Sequence, residues 1–186
     1  MKNQKLTTKS VVLTGMLTAV LSVLSIVQIP MPSGVPITLQ TFAVAFCGYV
    51  LGWKLGGAAA ALYLVLGAIG VPVYAGMSSG FGCLFGAAGG FIFGFIPMAI
   101  VCGLGIRKGF KGKGIVFGIL GLALCHLFGV IQFSIVTGNG LIQSVLVASM
   151  PYWVKDIISV VGAEIVAIAV RKALVASSVM SYGEAA

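Results

Sequence analysis

The sequence has 186 residues, of which 60% are hydrophobic and 8% charged, with a mean hydropathy of +1.18. A soluble domain carries roughly 25% charged residues, so the composition excludes a soluble fold and indicates one membrane bundle, residues 1–186, with several spans. The net charge of +8 is borne too sparsely for a nucleic-acid surface, and its bearers read as topology signals.

In chain order, Lys2, Lys5 and Lys9 precede an apolar run. This resembles the start of a signal peptide, but no small-x-small cleavage site closes it, so Val11–Ile29 is expected to be an uncleaved first helix. A span needs about 20 apolar residues. Five more candidates follow: Leu39–Trp53, Leu55–Val71, Ala88–Ile106, Gly114–Val136 and Pro151–Val170. The second and third spans are short and must tilt or extend into their flanks. Gly138–Met150 reads as a short interfacial helix. Basic residues fall in alternate connections: Lys54, then Arg107, Lys108, Lys111 and Lys113, then Arg171 and Lys172 after the last span, with Lys155 the exception. The positive-inside rule therefore places both termini in the cytoplasm.

This topology puts three stretches outside: Pro30–Thr38, Pro72–Ala87, and Thr137–Met150 with the top of span six. Pro30, Pro32 and Pro36 stiffen the first, each fixing its own φ; Thr38 and Gln40 follow it with a hydroxyl and an amide. The second belongs to the stretch Pro72–Phe95, which has seven glycines in 24 residues and no charged side chain. Such a run suits either irregular backbone folded against a ligand or close helix packing.

Ionisable residues inside spans are costly and usually functional. His126 and Glu164 lie near the middle of spans five and six and are expected to pair, either for transport or as a polar clamp between helices. Asp156, near the outer end of span six, is expected to face inward and accept hydrogen bonds from a small ligand, while Lys155 turns to the headgroups. Gln132 and Asn139 are further neutral hydrogen-bonding candidates. Gly15 and Ala19 form a small-xxx-small step that lets another helix approach. The four cysteines show no metal-ligand spacing, and neither a metal site nor a catalytic residue is expected. No phosphate-binding GxxxxGK[ST] loop occurs, so active transport would draw its energy from another chain or an ion gradient.

Three stretches, VPITLQTFAV (Val35–Val44), ALYLVLGAIGVPVYAG (Ala61–Gly76) and LFGAAGGFIFGF (Leu84–Phe95), resemble the BioY family of biotin-binding S components of energy-coupling factor (ECF) transporters. The resemblance runs from about Val11 to Arg171. It implies an all-α, six-helix S component in the bacterial cytoplasmic membrane. It also implies biotin capture at the outer face, and docking through Gly15 and Ala19 onto a transmembrane T component with two ATPase subunits. ATP would be used by those partners, and this chain would need no cofactor. The binding residues it suggests are Thr38, Gln40, Tyr74, Ser78, Ser79, Phe81, Gly86, Gly89, Gly90, Phe91, Tyr152, Asp156 and Ser159. Phe85 would add an apolar wall, and the backbone of the Ser78–Gly82 turn would meet the carboxylate tail.

Two departures stand out. Where the family often reads Gly-Pro-Thr-Gly-Gly-Tyr, this chain has Gly86-Ala87-Ala88-Gly89-Gly90-Phe91, losing two hydroxyls. Asp156 matches the family's aspartate in span six, but Ser159 stands at the usual lysine position, with Lys155 available to replace that charge. Alternatives are an S component for another vitamin, a biotin transporter acting without the ATPase module, and an intramembrane enzyme using His126 and Glu164 with a serine. A channel is disfavoured because no ring of charge is evident.

Overall fold

The structure, a computed structural model, describes residues 7–106 and 113–180. Lys2, Lys5, Arg107, Lys108 and Lys111 lie outside the described residues. Helix α1 (Thr8–Ile26) starts with Thr7, whose hydroxyl accepts from the Ser10 N–H while Ser10 reaches back to the Thr7 N–H. This reciprocal cap satisfies two backbone donors. One face of α1 buries Thr18, Leu21, Ser22 and Ser25. The hydroxyls of Thr18, Ser22 and Ser25 each donate to the carbonyl four residues back, which satisfies them without water. Gly15 and Ala19 lie on the exposed side.

Helix α1 stops three residues before the expected end of the first span. The chain there forms a two-stranded antiparallel ribbon, β1 (Gln28–Ile29) with β2 (Ile37–Thr38), pairing Gln28 with Thr38 and Ile29 with Ile37. The short loop between them carries the three prolines.

Helix α2 (Gln40–Ala68) is a hairpin of two helical arms. Gly52 breaks it with φ +82° and ψ 175°, a conformation open to glycine and strained for other residues. The arms return on one another: the Gln40 amide donates to the Tyr63 hydroxyl at 2.8 Å, although a straight helix would hold residues 23 apart at roughly 35 Å. A Cβ on Gly56 would come within 2.7 Å of the Gly48 Cα. The second and third expected spans are these arms, with Lys54 just past the turn. The first arm is the centre of the molecule, with residues 43–52 buried without exception.

The glycine-rich stretch forms a 3-10 turn at Ala75–Met77, a five-residue helix α3 (Phe81–Phe85), and then α4 (Gly89–Leu104). Helix α5 (Gly114–Thr137) packs on α4, a short α6 (Leu141–Ala148) covers the end of α5, and α7 (Trp153–Ala176) closes the bundle against α2 and α5. Among the described residues, three helices (α1, α2 and α5) are long and apolar enough to cross a membrane, although α2 is folded on itself; α4 is shorter and apolar.

One end of the bundle gathers basic groups. Lys9 Nζ donates to the Ser178 carbonyl, and Arg171 donates to the carbonyls of Tyr49 and Val50 beside the Gly52 turn. The opposite end holds the β-ribbon, the glycine-rich turn and the start of α7.

Candidate functional site

A cavity of about 310 Å³ lies at this opposite end. One wall comes from the β-ribbon, the start of α2 and the glycine-rich turn, which contribute Gln28, Thr38, Gln40, Thr41, Tyr74 and Ser78. The other comes from α4, α5 and α7. There Phe91, Ile92, Phe95 and Leu122 form an apolar surface, and His126, Tyr152, Lys155 and Asp156 a polar corner.

The polar corner is built across helices. The His126 Nε2 lies 3.2 Å from Asp156 Oδ2, and its Nδ1 lies 2.9 Å from Ser149 Oγ. Both His126 and Asp156 are 4% exposed, so neither leans on water for a partner. Lys155 Nζ contacts Asp156 Oδ1 and donates to the Thr38 carbonyl at 3.1 Å. Neighbouring residues on a helix diverge by about 100°, but the four-carbon lysine stem bends its ammonium back over the carboxylate. The expectation that Lys155 turns to the headgroups is therefore corrected. An ammonium has three donors, so one remains beyond Thr38 and Asp156.

The expected His126–Glu164 pair does not form. Antiparallel packing sets His126 beside Asp156, while Glu164 lies against Gly114, the first residue of α5. A Cβ on Gly114 would overlap that carboxylate. These two contacts are twelve residues apart on α5, roughly 18 Å. Glu164 misses the depth of His126 because α7 does not start level with the end of α5; α6 occupies that outer level instead.

The ribbon is tied to the same stretch of chain. The Tyr152 hydroxyl donates to the Val35 carbonyl and accepts from Ser33 Oγ at 2.8 Å. Together with the bond from Lys155 to Thr38, these hold residues 33–38 over the cavity. On the far wall Thr38 Oγ1 donates to Gln40 Oε1 at 2.9 Å, and the Gln40 amide continues to Tyr63.

Among the residues singled out in the sequence, Thr38, Gln40, Tyr74, Ser78, Gly86, Phe91, Tyr152 and Asp156 line the cavity. Ser79, Phe81, Gly89, Gly90 and Ser159 do not. Phe81 and Phe85 are 64% and 70% exposed, pointing outward from α3. Gly89 and Gly90 are packing positions: a Cβ on Gly89 would overlap the Leu84 carbonyl, and one on Gly90 the Phe128 carbonyl of α5. Ser159 lies about 4.5 Å further along α7 than Asp156. Gln132 uses its amide on the Leu84 and Gly86 carbonyls, holding the glycine-rich turn on α5. Sequence reasoning did not single out Gln28 or Thr41; Gln28 enters through the ribbon, which no hydropathy pattern marks.

Ser149, His126 and Asp156 form a hydrogen-bonded line like that of a serine hydrolase, but in the opposite sense. The carboxylate faces the cavity, and the serine is 3% exposed, lies outside the cavity lining and accepts from Trp153 Nε1 at 3.0 Å. A nucleophile must meet the substrate, and this hydroxyl sits behind the ring.

The sequence model of the BioY family matches residues 1–176. A biotin transporter BioY from Thermotoga maritima is 35% identical over 159 residues, 85% of this chain and 93% of the relative. Biotin transporter BioY2 from Lactococcus lactis is 33% identical over 177 residues, covering 94% and 95% of the two chains. Among solved structures, the crystal structure of the S component for biotin from an ECF-type ABC transporter superposes with a TM-score of 0.80. It covers 92% of this chain and 94% of that one at 24% identity, a likeness of fold.

Proposed function

Because the chain belongs to the BioY family, a family of multi-pass membrane transport proteins rather than enzymes, we propose that it is the biotin-capturing subunit of a vitamin-uptake transporter. The observation that carries this reading is the polar corner of Asp156, Lys155 and His126, set beside the apolar surface of Phe91, Phe95 and Leu122 and across from a wall of neutral polar groups. A ureido ring offers two N–H donors flanking one carbonyl. Asp156 accepts from an N–H, and the third Lys155 proton donates to the carbonyl. In this way Lys155 supplies the charge absent at Ser159. Phe91, Phe95 and Leu122 contact the fused ring and aliphatic chain. The carboxylate tail runs toward Gln28 and Ser78, neutral groups that bind an anion less strongly than a guanidinium. A volume of about 310 Å³ falls at the small end of ligand cavities, roughly 300–1,000 Å³, as suits one compact vitamin.

The cavity end faces outward and both termini are cytoplasmic in the bacterial membrane, supported by the clustering of Lys9, Arg171 and the Gly52 turn at the other end. Gly15 and Ala19 dock a T component that works with two ATPase subunits. Calorimetry on the purified chain in detergent tests the reading, with thiamine and riboflavin as controls. Saturable binding of biotin alone is expected; binding of another vitamin in its place, or of none, overturns it.

A further inference from the structure

Resting on the biotin-capture reading, we infer that His126 is a positioning residue that aims Asp156 at the ligand, and that Trp153 and Ser149 hold its tautomer from outside the cavity. An indole N–H only donates. A carboxylate only accepts, so Nε2, which faces Asp156 Oδ2 at 3.2 Å, carries a proton. In the neutral ring Nδ1 is then the acceptor and takes the proton of Ser149 Oγ 2.9 Å away, while a lone pair of that oxygen accepts Trp153 Nε1–H at 3.0 Å. The chain of bonds has one direction, from Trp153 to the carboxylate.

The ring has little freedom to depart from this arrangement. Trp153 stacks on it with centroids 5.3 Å apart, and the Phe91 ring meets it at 89° and 5.6 Å. Asp156 is then held at both oxygens, Oδ2 by His126 and Oδ1 by Lys155. Its remaining lone pairs point in set directions, so a ligand N–H meets an acceptor already oriented and does not bear the cost of ordering it. The opposite tautomer would turn a nitrogen lone pair toward the carboxylate and release it to rotate.

The chain has a single histidine, so protein labelled with 15N-histidine gives one pair of ring-nitrogen signals in solution spectra. The expected spectrum, recorded without ligand, is that of the Nε2-protonated tautomer, and Ser149→Ala converts it to a mixture. In biotin titrations Ser149→Ala raises Kd roughly two- to tenfold, the scale of one ordinary hydrogen bond. His126→Asn, whose short amide cannot reach the Nε2 position, raises Kd roughly 10- to 150-fold, the scale of a bond to a charged group. His126→Gln places an N–H near the Nε2 position and restores binding to within about threefold of wild type. His126→Met, which fills a similar volume without a donor, stays as weak as Asn, whereas a purely space-filling role would let it bind like Gln. An Nδ1-protonated spectrum, a Gln variant no better than Asn, or an Asn variant that binds like wild type overturns the inference. Wild-type protein that takes up no biotin instead removes the capture reading, and the inference with it.

Discussion

Asp156→Asn isolates the charge at the centre of the polar corner while nearly preserving its shape. The carboxylate has about four lone-pair sites and an amide oxygen two. Three donors converge there in the ligand-bound state: His126 Nε2–H, the Lys155 ammonium and a ligand N–H. In the asparagine variant, the NH2 group must face one of these donors, leaving the other two to share a neutral oxygen. Losing a hydrogen bond to a charged acceptor costs about 1.5–3 kcal/mol, or roughly a 10- to 150-fold rise in Kd. The fold should tolerate the change. The Lys155 side chain is 30% exposed, so water reaches the charge left behind, and the buried carboxylate no longer has to be desolvated. Calorimetric titration with biotin and a thermal melt of the ligand-free protein, both in the same detergent, read the two effects separately. A Kd within threefold of wild type would refute the placement of Asp156 as the ligand's acceptor.

Two substitutions separate packing from docking. Gly90→Val puts a side chain onto the Phe128 carbonyl, which as backbone has little room to yield, so α4 and α5 must move apart. Overpacking of this kind costs about 1–3 kcal/mol, and the melting temperature should fall; an unchanged melt would mean that the helix crossing is looser than described. A Cβ on exposed Gly15 meets nothing within 4 Å inside the chain, so Gly15→Leu should leave both the melt and biotin binding unchanged while abolishing co-purification with a T component. Normal co-purification would show that this face of α1 is not the docking surface.

The helices were legible because their signal is one-dimensional. Runs such as Gly114–Val136 are apolar apart from His126, Gln132 and Ser134, and the structure has α5 over Gly114–Thr137. The break between the second and third runs was legible from Lys54, although the residue that makes the turn is Gly52. An ionisable residue at the outer end of an apolar span pointed to Asp156 and resemblance added Tyr152, and both line the cavity. Relative depth was harder to read. Whether His126 meets Asp156 or Glu164 depends on where α7 starts against α5, and α6 shifts that start by about two turns without leaving a mark in hydropathy. Side-chain reach was a second blind spot: helical angles alone sent Lys155 to the headgroups, yet its stem returns the ammonium to Asp156. Glycine composition did not distinguish Gly86, at the cavity, from Gly89 and Gly90, which allow helices to touch.

The turn at Gly52 has a consequence for how the chain assembles in a bilayer. The first arm of α2, with residues 43–52 buried throughout, has no side left for lipid, and at about 1.5 Å per residue its dozen residues reach only some 18 Å, well short of a hydrocarbon core of about 30 Å. Such a segment gains little by inserting alone. It enters as half of a hairpin, and its surroundings become protein only as α4 and then α7 are added behind it. Until α7 arrives, the first arm lacks part of its cover, and Tyr49 and Val50 lack the arginine that binds their carbonyls. The helix that completes the core also carries Asp156, so a nascent chain becomes able to hold its ligand at the same step at which it finishes folding.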